Sequence, residues 1–351
     1  MSIDIEAVMA DADLKELRGM LRRAAYSTDS FRTALAIADP ADAILANTGR
    51  YSMLYLSELV KFDSPASILA QLFMLCGRVP KWKLEHLEPV LARMLVQLRL
   101  IETVADDPEL VRGTVAITEL NGLYFLSDTL FENNVDDFIV HDEAGRCMPP
   151  HASSLELLHA LRKPAGAKSF LDIGCGTGCQ SLLFAARYER AVGFDSNPRA
   201  VQFAQANSAL NGRTARYAIG HWETYADGER YDHVTFNAGP AAIDFVNYGL
   251  SKLLAPGGSA QVWCQCEITQ DDGTLNRVLE RRLLAWDDLA IEVTTNPDSP
   301  FALSRQSIAD KRLPYGTLVI SHPSQKMAFF RDLAARSVTE IASVNLTIRC
   351  L

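Results

Sequence analysis

The sequence predicts an α/β fold built on a mainly parallel sheet and preceded by a separate, mostly helical region. Three observations predict it. From Ser153 onward, apolar strand-like runs alternate with helical stretches of ten or more residues, the rhythm of a parallel sheet covered by helices on both faces. Before that point helical spacing dominates and ends in a pair of apolar-alternating runs. The charge divides at the same place: residues 1–150 hold 14 Lys/Arg against 23 Asp/Glu, whereas residues 151–351 hold 20 of each. The expected domains are therefore 1–150 and 151–351.

In the first region, residues 5–46 read as helices, with Leu14, Leu17, Leu21 and Ala24–Ala25 at helical spacing and a break at Asp39-Pro40. Ser64-Pro65 fits a cap followed by proline at the first helical position, and Gly77 fits a helix stop. VPKWKLEHL and EPVLARMLVQLRLIE read as two more helices. TVAITEL and LYFLSD then flank Asn121-Gly122, the signature of a hairpin with a two-residue type I′ turn. Three helices followed by a hairpin is the order of a winged-helix unit. Residues 101–150 hold two basic and eleven acidic residues, which would repel a phosphate backbone. The expected role of this region is structural or substrate-covering rather than DNA binding.

The second region reads, in order, as helix SSLELLHALRK, strand KSFLDIG, helix CQSLLFAARY, strand ERAVGFD and helix NPRAVQFAQANSALNG. Strands ARYAIG and YDHVTFNAG, helix AAIDFVNYGLSKLL, strand SAQVWCQC, helix GTLNRVLERRLLAW and strand LAIEVTT follow. YGTLVISHP, after a polar insertion, reads as the last strand.

Of the 351 residues, 48% are hydrophobic and 22% charged, a globular composition that excludes disorder as the main state. No apolar run reaches the roughly 18 residues of a membrane span, and the first thirty residues lack the apolar core of a secretory signal. Seven scattered cysteines point to reduced thiols and a cytoplasmic setting. The net charge of −9 disfavours nucleic acid as the main partner.

The first strand of the second region runs into Asp172-Ile173-Gly174-Cys175-Gly176-Thr177-Gly178, directly before a helix. Glycines there permit a tight turn and let a ligand approach the main chain. An acid beside the loop would repel a pyrophosphate but suits a cation. Asp195 ends the next strand, placed to accept both hydroxyls of a ribose. An adenosine with a cationic or zwitterionic tail meets both demands, so the expected cofactor is S-adenosylmethionine (SAM). Cys175 and Cys179, or Cys264 and Cys266, are too few and poorly spaced for zinc, so no metal is expected.

Residues from about 150 to 265 resemble class I SAM-dependent methyltransferases. DSNPRAVQFAQANSALNG (195–212) is similar to the "methyltransferase small" group, which contains release-factor glutamine and ribosomal-RNA guanine enzymes. LFMLCGRVPKWKLEHL and LSDTLFENNVDDFIVHDEAG resemble a two-domain branch of it with a winged-helix-like N-terminal region. The resemblance implies a Rossmann-like, mainly parallel seven-stranded sheet. It implies a cofactor site of Asp172, Gly174, Cys175, Gly176, Gly178, Asp195 and Ser196, with His221 and Trp222 near the adenine. It also implies that Asn237 orients the methyl acceptor. The group follows that asparagine with Pro-Pro-aromatic, and here Ala238-Gly239-Pro240 stands instead. The loss opens the pocket to another substrate: a small molecule methylated on N or O in natural-product biosynthesis. Protein or RNA methylation is the alternative, and a SAM-binding DNA-associated regulator the second. Asn237 and His221 are the candidate catalytic residues, His221 as a base. Trp222 is equally readable as a core residue, and Asn237 as a turn asparagine. His151, Pro240 and Trp263 are the candidate substrate contacts, and a monomer or homodimer is expected.

Overall fold

The computed structural model describes residues 14–38, 52–134, 138–141, 145–225, 228–284, 289–295, 301–302 and 323–351. The chain divides into two units. The first comprises Met1–Ala152 together with Gly176–Leu183 and Asn197–Thr214; the second comprises Ser153–Cys175, Phe184–Ser196 and Ala215–Leu351.

In the first unit, α1 (Leu14–Arg23) and α2 (Thr28–Ala34) follow the apolar spacing read from the sequence, and the Ser27 side chain caps α2 by accepting from Ser30 N–H. The short predicted helix before Ala46 lies outside the described residues. After α3 (Ser52–Leu59), Ser64 caps α4 (Pro65–Phe73) with Pro65 at its first turn. The stretch VPKWKLEHL is not the helix predicted. It forms β1 (Arg78–Pro80) and a 3-10 turn, Lys81–His86, because Pro80 excludes its predecessor from helical backbone. Next comes α5 (Pro89–Gln97), then β2 (Ile101–Val104) and β3 (Asp107–Gly113), which complete a small antiparallel sheet in the order β1-β3-β2.

The predicted hairpin follows as β4 (Ala116–Leu120) and β5 (Leu123–Ser127). Its turn residues Asn121 and Gly122 have φ of +51° and +76°, as a type I′ turn requires. β6 (Phe131–Asn133) and β7 (Phe138–Val140) form a further antiparallel pair.

The second unit begins with α6 (Ala152–Ala160) and β8 (Ser169–Ile173). The chain continues through α7 (Cys179–Ala185), β9 (Arg190–Asp195), α8 (Pro198–Asn211), β10 (Arg216–Ile219) and β11 (Tyr231–Asn237). It then forms α9 (Ala242–Tyr248), α10 (Leu250–Leu253), β12 (Leu254–Thr269), α11 (Leu275–Arg282), β13 (Leu289–Thr295), β14 (Phe301–Ala302), α12 (Pro323–Ala335) and β15 (Val338–Cys350).

The main sheet has the order β10-β9-β8-β11-β12-β15-β13, with β14 added on β15. All pairings from β10 to β12 are parallel, and β15 runs antiparallel to both neighbours. One face is apolar: Leu171, Ile173, Val192, Phe194, Val234, Phe236, Val262, Cys264, Val344 and Leu346 form a core with Phe245 and Val246 of α9. The run YGTLVISHP, read as the last strand, lies outside the described residues except for Pro323, which opens α12. The antiparallel strand of the main sheet is β15, where Ala342, Val344, Leu346 and Ile348 alternate as a strand signal that the sequence reading left unassigned.

Candidate functional site

The order of the main sheet reverses between β8 and β11, the switch point at which open α/β sheets bind ligands beyond the carboxyl ends of their strands. The glycine loop leaves β8 there. Asp172 is 2% exposed and accepts a hydrogen bond from Thr235 Oγ1 of β11 at 3.3 Å. Thr235 was not foreseen, because only the pairing of β8 with β11 brings it beside the acid.

Gly174, Gly176 and Gly178 have φ of +60°, +53° and +77°, the left-handed region that favours glycine. A Cβ at Gly174 would also come within 3.2 Å of the Phe236 ring, whereas at Gly176 it would meet nothing within 4 Å. Open main chain at Gly176 is what a bound cofactor needs. Cys175 is buried, and its N–H donates to Phe194 O at 3.0 Å, tying the loop to the end of β9. In the first unit, Asn207 Nδ2 donates to Thr177 O at 3.0 Å and fixes the middle of the loop.

Asp195 closes β9 half-buried, with its carbonyl accepting Gly220 N–H at 2.9 Å, and Ser196 follows it exposed. His221 comes next after Gly220. Its side chain is about half exposed, with Nδ1 3.4 Å from the Glu223 carboxylate. The Trp222 ring lies 5.6 Å from that of His221. It is 9% exposed and meets the Phe245 ring edge-on at 5.9 Å within the apolar core. A residue not singled out from the sequence, Tyr225, stacks on Phe194 at 4.1 Å and sits where a Cβ on Gly220 would come within 2.8 Å.

Asn237, half-buried, ends β11 beside the loop. Pro240 lies in the 3-10 turn Gly239–Ala241 that follows. Trp263 is the register partner of Asn237 on β12. It is 4% exposed and donates from Nε1 to Glu156 Oε2 of α6 at 2.6 Å. Glu156 lies 107 residues away and carried no signal in the sequence.

Two other histidines are placed differently. His151 belongs to the first unit, and burial lowers its pKa to about 4, so it is neutral and weakly basic at pH 7. His233 is buried on β11 against the Tyr188 hydroxyl, and burial likewise lowers it to about 4. Among the described residues, no three His, Cys, Asp or Glu side chains converge as a metal site. No described helix is long and apolar enough to cross a membrane.

Within the second unit the fold therefore gathers Asp172, Gly174, Cys175, Asp195 and Asn237 at neighbouring strand ends, with Trp263 inside β12 as the register partner of Asn237, and Ser196 and His221 on the adjoining loops. Residues 170–258 match the family model described as a methyltransferase domain. Over 115 residues the chain is 33% identical to the ribosomal protein L11 methyltransferase of Desulfotalea psychrophila, covering 30% of this chain and 38% of that one. Over 104 residues it is 31% identical to the release factor glutamine methyltransferase of Geobacter sulfurreducens, covering 29% and 36%. The chain thus spans a little over a third of the length of these curated relatives. The solved YcgJ protein of Bacillus subtilis is 16% identical, with a TM-score of 0.37, covering 56% of this chain and 97% of that one. The strand order, the open glycine loop between two acids and the match over residues 170–258 identify a class I SAM-dependent methyltransferase domain.

Proposed function

We propose that the protein transfers the methyl group of SAM to a nitrogen or oxygen of a small molecule of the kind made in natural-product biosynthesis. The observation that carries this reading is Asn237 at the switch point, followed by Ala238-Gly239-Pro240 rather than the Pro-Pro-aromatic clamp that grips a planar amide or base. When bound, SAM supplies a methyl group on a positively charged sulfur, and the protein need only align the acceptor. Asp172 serves the cationic amino group and Asp195 the ribose hydroxyls. Asn237 orients the acceptor, and His221 takes a proton when that acceptor is a hydroxyl. His151, neutral and weakly basic, is left a contact role.

Replacing Asp195 by alanine is expected to weaken SAM binding by about 1–3 kcal/mol, the loss of charge-assisted hydrogen bonds. Unchanged affinity in calorimetry would remove Asp195 from the ribose.

In the winged-helix-like reading of the first unit the β4–β5 hairpin is the wing, and an additional hairpin, β2–β3, precedes it after α5. The β2–β3 hairpin exposes Asp106 and Glu109, which argues against a phosphate backbone as the partner of this region. Incubated with labelled SAM, the protein is expected to leave release-factor peptide and RNA unmethylated, and to leave duplex DNA unretarded in a gel. The two curated relatives are named for ribosomal protein L11 and release-factor glutamine. Label in either macromolecule above background would move the reading to protein or RNA methylation.

A further inference from the structure

On the face of the main sheet opposite the apolar core, β11 presents His233, Thr235 and Asn237. His233 is taken up by the Tyr188 hydroxyl, and Asn237 stands at the strand end. Thr235 lies between them, fully buried. A hydroxyl removed from water costs free energy unless it is hydrogen-bonded, and valine would fill the same space without that cost. The threonine therefore calls for a reason.

Register partners on adjacent strands point to the same side of a sheet. Thr235 is level with Asp172 on β8 and with Gln261 on β12. Gln261 is accounted for: its amide donates to Ala160 O at 2.6 Å and accepts Arg162 N–H at 2.8 Å. On its other side Asp172 is level with Gly193 of β9, which has no side chain to offer it. Thr235 Oγ1 lies 3.3 Å from Asp172 Oδ1 and 3.4 Å from Leu171 O. A hydroxyl has one proton to give, and the charged carboxylate is the stronger acceptor of the two.

We propose that Thr235 is a positioning residue of the cofactor site: its hydroxyl holds the Asp172 carboxylate in the orientation that receives the cationic amino group at the tail of SAM. The inference rests on the methyltransferase reading above and adds a residue to it. The last torsion of an aspartate is broad, so a donor on one oxygen fixes where the other points. The sheet order separates this effect from ribose binding. Asp195 ends β9 and Thr235 stands on β11, two strands away and so at least about 10 Å distant. Thr235 thus governs the tail of the cofactor and leaves its adenosine part alone. It touches no reacting atom and takes no part in the transfer.

S-adenosylhomocysteine and 5′-methylthioadenosine test this directly. Both carry the adenosine and the sulfur, but only S-adenosylhomocysteine carries the amino-acid tail. In calorimetry on the full-length protein, Thr235→Val should weaken S-adenosylhomocysteine about ten-fold, the low end for a hydrogen bond to a charged group, and 5′-methylthioadenosine by less than about two-fold. Thr235→Ser, which keeps the hydroxyl, should bind S-adenosylhomocysteine nearly as the parent does. Thr235→Ala should repeat the loss seen with valine. In an Asp172→Asn background the valine should cost little more, because the charge through which the hydroxyl acts is gone. Equal losses for both ligands, no loss for either, a serine variant as weak as the valine, or full additivity with Asp172→Asn would overturn the role. Failure of the parent protein to bind S-adenosylhomocysteine sinks the methyltransferase reading itself, whereas tight binding by the parent without tail selectivity in Thr235→Val sinks the role of Thr235 alone.

Discussion

Replacing Asn207 by leucine is expected to lower stability by about 3–6 kcal/mol, a large part of the 5–15 kcal/mol typical of a folded protein. Asn207 is fully buried on α8. Its Oδ1 accepts Leu126 N–H at 2.7 Å, and its Nδ2 donates to Leu126 O and to Thr177 O, each at 3.0 Å. One turn on, Asn211 repeats the arrangement with Tyr124, accepting its N–H at 2.9 Å and donating to its carbonyl at 2.7 Å. Residues four apart on a helix and two apart on a strand advance by nearly the same length, about 6–7 Å. The two asparagines thus stand in for a neighbouring strand along the free edge of β5. Leucine at 207 would strand three buried backbone groups, including the loop carbonyl of Thr177. The denaturation midpoint should fall sharply, and SAM affinity should fall with it. A variant within 1 kcal/mol of the parent would show that α8 needs no such clamp.

Removing residues 1–152 is expected to abolish soluble, folded protein. Phe203, Ala206 and Leu210 of α8 share one core with Leu14, Leu17, Met20, Tyr124 and Leu126. Arg199 pairs with the buried Asp128 carboxylate, and Arg18 Nη1 donates to Asn211 O at 2.9 Å. A fragment starting at Ser153 would expose that apolar face and strip both asparagines of their β5 partners. Expression of the fragment, with circular dichroism and a hydrophobic dye, reads the outcome. A soluble fragment that unfolds cooperatively would show that α8 folds without the N-terminal region.

These contacts also mark how far the sequence could be read. The glycine loop and Asp195 were legible because the chemistry is local: the acid, the three glycines and the second acid all fall within residues 172–195, and the alternation of strands and helices framed them. Asn207 and Asn211 lay in plain view inside the stretch that resembles the methyltransferase group. Their partners in β5 stand 81 and 87 residues upstream, and no spacing rule connects them. The bond between Glu156 and Trp263 was hidden for the same reason. Residues 79–87 misled because their apolar positions fit a helix, while Pro80 and pairing with β3 override that pattern. Trp222 admitted two readings, and the close approach of Phe245 and Gly249 places it in the core.

The position of β15 has a consequence for how the protein must be made. It follows β13 in the chain yet lies between β12 and β13, pairing with β12 from Ser259 to Thr269. During synthesis the strands from β8 to β12 emerge first and can assemble on the ribosome. The outer edge of β12 then stays bare, and β13 has no strand to join until residues 338–350 are translated. A long unpaired edge is a template for aggregation. The nascent chain therefore carries its greatest hazard late, after the cofactor half is built, and translation that stalls or stops before Val338 yields a sticky sheet rather than a partly active enzyme.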